Sequence, residues 1–140
     1  MHRFLFHPLG LGRRWVVVAA LLVAAFAHLP VIGEHLMEAP YMGVLFIVLT
    51  AACFVLAAAL ISIDSAAAYA LSALTCALAV VGYAATRTFA FPELADDVGN
   101  WTEPLGLVSI TSEAAVVALS VAATFRRRKQ SNRAFVTNTM

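Results

Sequence analysis

The 140-residue chain is 62% hydrophobic and 12% charged, with a net charge of +1 and a mean hydropathy of +0.88. An ordinary soluble domain carries roughly 25% charged residues, so this composition excludes a domain whose surface is mainly in water. The length leaves room for one compact bundle and no separate soluble domain. We therefore predict a single integral membrane domain over residues 1–140.

Four long apolar stretches follow one another along the chain. Each has about the 20 residues with which a helix crosses a 30 Å hydrocarbon layer, and a helix satisfies its own backbone groups in lipid. The sequence therefore predicts an all-α fold, a four-helix transmembrane bundle. The predicted spans are residues 15–32, 41–63, 66–86 and 105–125.

Basic residues lie almost entirely outside the spans, at the two termini. Because Lys and Arg concentrate on the cytoplasmic side, both termini are predicted to be cytoplasmic, in a multi-pass protein of the cell (plasma) membrane. The C-terminal basic run suits contact with anionic lipid headgroups, and nucleic acid is not an expected partner. The basic terminal residues are Arg3, Arg13, Arg14, Arg126, Arg127, Arg128, Lys129 and Arg133.

The N-terminus also allows a second interpretation. Arg13 and Arg14, followed by an apolar run and the small residues around Ala27, are typical of a signal peptide. Cleavage after Ala27 would leave three spans in the same orientation. Apolar residues continue through Ile32, which favours an uncleaved first span.

The three connections differ in length. Asp64 and Ser65 alone join spans two and three, which predicts an antiparallel hairpin with a side-chain cap at the start of span three. The other two connections, 33–40 and 87–104, are expected on the outer side. The second has 18 residues in which aromatic and acidic residues alternate, a pattern that favours a short amphipathic element at the interface.

Glu113 is the one carboxylate well within a span. A charged group at membrane depth costs several kcal/mol unless it is paired or hydrated, so Glu113 is expected to face the bundle interior. It lies about 12 Å below the outer boundary, and His28 in span one lies about 10 Å below it, at 1.5 Å per residue. Ser109 shares the helical face of Glu113.

Further polar residues are predicted to gather above this pair at the outer ends of the spans. We interpret the set as an outward-facing His/Glu/Arg pocket, and the alternative is structural: His28 bonded to a backbone carbonyl and Arg87 paired with Glu103. The candidates for ligand or ion binding are Glu113, His28, Arg87, Glu34, His35, Glu38 and Glu103.

Some of these side chains are also metal ligands. Imidazole with carboxylate suits Zn²⁺ and several transition metals, and imidazole with thioether suits copper. No spacing here is a specific metal motif, so the cofactor stays unknown, with metal or haem kept as an alternative. The metal candidates are His28, His35, Met37 and Met42.

The chain resembles a group of small actinobacterial four-helix membrane proteins without assigned activity. The resemblance covers nearly the whole chain. It rests on Glu34, His35 and Glu38 after the first span, on Arg87 at the end of the third, and on Glu113 in the fourth. It supports the choice of these residues and implies no chemistry.

Three functions follow as hypotheses. The first is a non-enzymatic accessory or binding subunit that contacts the bilayer and a larger membrane complex, or a second copy of itself. The second is a proton- or ion-coupled transporter that uses Glu113. It resembles small multidrug exporters in size, although their essential Glu lies in the first helix. The third is a metal- or haem-binding membrane redox protein. No nucleophile set is present, so catalytic residues are not predicted and an enzyme is not favoured.

Overall fold

The computed structural model of the protein describes Gly12 and residues 14–138, with side chains through Phe125. Over these residues the chain is all-helical, without a β-strand, as the sequence predicts. The elements in chain order are α1 (Arg14–Glu38), α2 (Pro40–Ser62), α3 (Ala66–Thr88), a short 3₁₀ helix (Ala95–Asp97) and α4 (Pro104–Asn138).

All four α-helices contain a segment that is long and apolar enough to cross a membrane. These segments have 25, 23, 23 and 22 residues, and the one in α4 is Pro104–Phe125. At ~1.5 Å per residue each covers a hydrocarbon layer of about 30 Å. The architecture is therefore that of a four-helix, multi-pass membrane protein, in agreement with the prediction.

The first helix runs further than the predicted span. Residues 33–40 were expected to form a connection, but α1 continues through Pro30 to Glu38 and only Ala39 separates it from α2. The amide of Ala39 donates to the carbonyl of His35 at 2.9 Å. Pro40 then opens α2 in its first turn, where proline replaces an amide that would have no partner.

The helices pack in a ring. Of the four pairs of neighbouring helices, α1 and α2 share the most extensive contact, followed by α3 with α4 and α1 with α4, and α2 and α3 touch least. The hairpin predicted for α2 and α3 is therefore present, but it is the loosest side of the bundle. The start of α1 and the α2–α3 turn lie at one end, here called the terminal end; the α1–α2 and α3–α4 connections lie at the opposite end, here called the connection end.

The terminal half of the bundle has a continuous apolar core. Its buried members come from all four helices: Val17, Val18, Leu21, Ala24, Ala25, Cys53, Leu56, Ala57, Leu60, Ala68, Tyr69, Cys76, Val116 and Ala123. Because lipid is as apolar as these side chains, tight packing and short interhelical distances must stabilise the association. The many alanines permit that close approach.

A polar cluster closes the α2–α3 turn. Asp64 is buried in the left-handed region at φ +46°, and it accepts a hydrogen bond from the Tyr69 hydroxyl at 2.9 Å. The Arg14 guanidinium lies 3.9 Å from the same carboxylate. The predicted cap is made by Ser65, which accepts from the amide of Ala68 at 3.3 Å.

Residues 89–103 fold back over the connection end and are called the lid below. The amide of Gly99 donates to the carbonyl of Arg87 at 2.9 Å. The hydroxyl of Tyr41 donates to the carbonyl of Pro92 at 2.7 Å, and that of Tyr83 donates to the carbonyl of Trp101 at 3.2 Å. The lid is thereby tied to both α2 and α3.

Candidate functional site

A cavity of about 690 Å³ occupies the connection half of the bundle. Residues from all four helices and from the lid line it, and its size is within the range of about 300–1,000 Å³ that is usual for small-molecule sites. Most of the lining is apolar. Its polar groups are concentrated at two levels, deep in the bundle and beneath the lid.

The cavity opens sideways, between α2 and α3. Leu45 and Val48 of α2 and Leu78 of α3 line it, yet they are 56%, 59% and 64% exposed. Residues can be both lining and exposed only where the wall is open, and this is also where the two helices pack least. In a membrane this opening faces lipid, whereas the lid covers the end of the bundle.

His28 and Glu113 meet at the deep level of the cavity. Both line it, and both are buried, with Glu113 only 1% exposed. Nε2 of His28 lies 3.6 Å from Oε1 of Glu113. Two helices, α1 and α4, therefore bring together the two residues that the sequence placed at similar depth.

Ser109 stands between this imidazole and this carboxylate. Its Oγ lies 3.2 Å from Nε2 of His28, and its hydroxyl donates to Oε1 of Glu113 at 3.1 Å. The position of Ser109 follows from helix geometry, because a residue four before Glu113 lies on the same face of α4. We call His28, Ser109 and Glu113 the polar trio.

The hydrogen bonds of the polar trio fix how many protons it needs. Nδ1 of His28 donates to the carbonyl of Ala24 at 2.7 Å, so a neutral His28 presents Nε2 as an acceptor. Ser109 has a single hydrogen for two acceptors, Nε2 and the carboxylate. Unless a group in the cavity donates to it, one buried acceptor is then unsatisfied, which costs about 1–3 kcal/mol.

One additional proton satisfies every group of the trio in either of two arrangements. In the first, His28 is an imidazolium that donates to Ser109, which donates to the Glu113 carboxylate. In the second, a protonated Glu113 donates to Ser109, which donates to neutral His28. Both arrangements have zero net charge, which is the least costly state in a low-dielectric interior. The trio is thus built to hold one proton.

The polar trio differs from a hydrolytic Ser-His-acid set. In such a set the imidazole lies between the hydroxyl and the carboxylate and removes the hydroxyl proton. Here Ser109 occupies the middle position, and the second nitrogen of His28 is bonded to Ala24. The arrangement is suited to sharing a proton and not to activating a nucleophile.

Phe46 of α2 separates the two histidines of α1. Its ring centroid lies 5.1 Å from that of His28 and 4.9 Å from that of His35. Nδ1 of His35 donates to the carbonyl of Val31 at 2.8 Å. Both histidines therefore make the hydrogen bond to a backbone carbonyl that the structural alternative predicted for His28. In each ring Nε2 is the nitrogen that is left to interact with a ligand.

Arg87 forms the second polar level, beneath the lid. Its guanidinium lies 2.6 Å from Asp97 and 2.8 Å from Glu103, and it is itself buried. It also lies 4.8 Å from the centre of the Tyr83 ring. These contacts join α3 to the lid, so Arg87 has its charge partners there and not at Glu113.

The remaining predicted residues do not join either level. Glu34 and Glu38 are exposed, and Met37 is 81% exposed. Met42 lines the cavity. In the part of the chain that the structure describes, no three His, Cys, Asp or Glu side chains are grouped to hold a metal ion. The metal site stays a prediction at its four candidate ligands, His28, His35, Met37 and Met42.

Ser109, Asp97 and Gly82 are among the lining residues that the sequence analysis did not predict as site residues. Ser109 was noted only for its helical face, and its spacing of four from Glu113 is the signal that could have identified it. Asp97 and Gly82 carry no comparable signal, because the fold of the lid and the α2–α3 gap place them at the cavity.

Comparison of the chain with protein-family models, with curated proteins and with solved structures finds no match. The functional interpretation therefore depends on the geometry of the cavity.

Proposed function

We propose that the protein is a small membrane-embedded binding protein, an accessory subunit without enzymatic activity, that takes an amphipathic small molecule from the bilayer into its cavity. The observation that carries this proposal is the lateral opening: a cavity of about 690 Å³ meets the lipid-facing surface between α2 and α3 and ends at buried polar groups. The apolar part of a ligand would occupy the wall region and its polar end would meet the polar trio.

The proposal retains the predicted setting of the chain. We place the protein in the plasma membrane with both termini in the cytoplasm, which puts the lid and the cavity in the outer half of the bilayer. Attachment to a larger membrane complex, or self-association through the exposed apolar faces of the helices, fits the role of an accessory subunit. Reporter fusions to the C-terminus test the orientation, and affinity purification in mild detergent tests the partners.

A pair of glycines provides a matched test of binding. Gly82 lines the cavity and Gly33 does not, and an added Cβ would meet nothing within 4 Å at either position. We expect Gly82→Leu to fill cavity space and to displace bound molecules, while Gly33→Leu leaves them in place. Native mass spectrometry of both variants, released from the same detergent, measures the retained ligand.

A result in which both leucine variants carry the same bound molecules as the parent protein, in the same amount, would contradict the proposal. Loss of molecules from both variants would also contradict it, because occupancy would then not depend on the cavity.

A proton-coupled transporter is the second candidate. The polar trio favours it, because a buried group that holds one proton and faces a ligand cavity is the element that ion coupling needs. Reconstitution in liposomes tests it: Glu113→Gln should abolish proton-coupled flux while the protein still elutes as a folded species. Equal flux in the parent and variant proteins would reject this candidate.

A further inference from the structure

The charges around the cavity determine which ligands it can accept. Among the residues that the structure describes, three carboxylates line it, those of Asp97, Glu103 and Glu113, against the one guanidinium of Arg87. Arg87 is shared between Asp97 and Glu103. The lining therefore carries an excess of negative charge, which attracts a cation and repels an anion, and the low-dielectric walls strengthen the effect.

Glu113 is the carboxylate that a cation would meet deep in the cavity. From α1 it faces His28, and from its own helix it faces Ser109. The thiols of Cys53 on α2 and Cys76 on α3 are near enough to Glu113 to interact with its charge. No permanent positive charge is among these groups, so within the described part of the chain the proton of the polar trio is what balances the charge of Glu113.

A cation bound at Glu113 must replace that proton. If both were present the deep level would be positively charged, and if neither were present it would be negatively charged. Each state costs free energy in a low-dielectric interior. When one monovalent cation enters and one proton leaves to water, the net charge of the deep level stays at zero. Apart from the transfer of this proton, no covalent bond forms or breaks.

The aromatic and apolar lining of the cavity determines which class of cation it favours. Besides Tyr83, whose ring already contacts Arg87, the aromatic rings of Tyr41, Phe46 and Phe91 line the cavity. Ring faces attract cations that have lost their water. The opening is apolar and faces lipid, which disfavours strongly hydrated ions such as Na⁺. A cation whose charge is shielded by alkyl or aromatic groups satisfies both conditions.

We propose that the ligand is a lipophilic monovalent organic cation, which enters between α2 and α3, pairs with the Glu113 carboxylate beside His28 and Ser109, and displaces one proton. This inference rests on the proposed binding function and narrows it to a class of ligand and a stoichiometry.

Isothermal titration calorimetry on the full-length protein in detergent, with three probes of similar size, tests the inference. Tetraphenylphosphonium is the cation, tetraphenylborate the anion and triphenylphosphine oxide the neutral probe. We expect the cation to bind at least ~100-fold more tightly than the other two, because only the cation can pair with the buried carboxylate in place of the proton. Titrations in buffers of different protonation enthalpy should show about one proton released per cation, as the exchange requires.

Two variants assign the effect to the deep carboxylate. Glu113→Gln should weaken binding of the cation at least ~100-fold and change binding of the neutral oxide far less, because the amide keeps the shape of the side chain and removes only its charge. Elution of the variant as a single species at the volume of the parent protein shows that it is folded. The matched control is Glu34→Gln, which removes an exposed carboxylate outside the cavity and should change neither affinity.

The outcomes separate the two proposals. The class of ligand is wrong if the cation binds no more tightly than the neutral oxide, if no proton is released, or if Glu113→Gln binds the cation as the parent does. In those cases the neutral oxide still tests the proposed binding function. That proposal stands if the oxide binds, if Gly82→Leu abolishes its binding and if Gly33→Leu preserves it. If no probe binds, both proposals fail.

Discussion

The two halves of this bundle use polar residues in different ways. At the terminal end Asp64 is held by Tyr69 and lies near Arg14, above a continuous apolar core. In the connection half, His28 and Glu113 share the single hydrogen of Ser109 and face a cavity. Asp64 has hydrogen-bond and charge partners within the protein, so it stabilises the fold. The polar trio has one hydrogen too few for its acceptors, so it is suited to binding a proton or a ligand.

The α2 helix passes through both halves, and leucine-to-alanine substitutions along it should show the largest difference in stability. Leu60 is fully buried in the core of the terminal half, whereas Leu49 lines the cavity and is half-buried. We expect Leu60→Ala to lower the free energy of unfolding by about 2–5 kcal/mol, because it leaves a void among close-packed side chains. Leu49→Ala enlarges a space that already exists and should cost less than ~1 kcal/mol.

Unfolding of the two variants by increasing fractions of denaturing detergent measures this difference. Equal destabilisation would mean that the connection half is packed as tightly as the terminal half, and the cavity would then not be a persistent feature.

The contacts of α2 with its two neighbours provide the next comparison. A Cβ on Gly43 would lie 2.7 Å from the backbone nitrogen of Leu36 in α1, whereas one on Gly82 beside the α2–α3 gap would meet nothing. We expect Gly43→Ala to destabilise the protein by about 1–3 kcal/mol through overpacking. Gly82→Ala should be neutral or slightly stabilising, since alanine favours helix.

The same detergent titration compares these alanine variants. A neutral Gly43→Ala would contradict the close α1–α2 contact, and a destabilising Gly82→Ala would contradict the gap.

Removing one of two tyrosine hydroxyls should show the smallest difference in stability between the two ends of the bundle. Tyr69 donates to the buried carboxylate of Asp64, and Tyr83 donates to a lid carbonyl at an exposed position. Tyr69→Phe should cost about 1–3 kcal/mol, because it leaves a buried carboxylate short of a donor. Tyr83→Phe should cost less than ~0.5 kcal/mol, because water replaces the lost bond.

Thermal unfolding in one detergent distinguishes the two phenylalanine variants. If Tyr83→Phe were the more damaging substitution, the lid and not the α2–α3 turn would be the stabilising polar cluster.

Much of the fold was predictable because lipid restricts the choices. Apolar length alone predicts four helices, and Asp64 with Ser65 predicts the hairpin and its cap. The depth of Glu113 and His28 also follows from counting residues, since a helix rises by a constant amount per residue. These properties are local or depend on one helix at a time.

The rest depends on how helices and connections pack against each other. Pro30 and Gly33 look like the end of a helix, yet α1 continues to Glu38. Residue spacing does not determine that Asp97 of the lid reaches Arg87. Nor does it determine that α2 and α3 separate although only three residues, 63–65, join them. The lateral cavity follows from that separation, so it is visible only in three dimensions.

The central claim is that His28, Ser109 and Glu113 hold one shared proton at the deep level of the cavity. Infrared difference spectroscopy during a pH titration, with isotope-labelled His and Glu113→Gln to assign the bands, tests it most directly. We predict that the Glu113 carboxyl band and the His28 ring bands change together at one midpoint, as in a coupled pair. Two independent midpoints, or a Glu113 band that titrates while His28 is unaffected, would contradict the account.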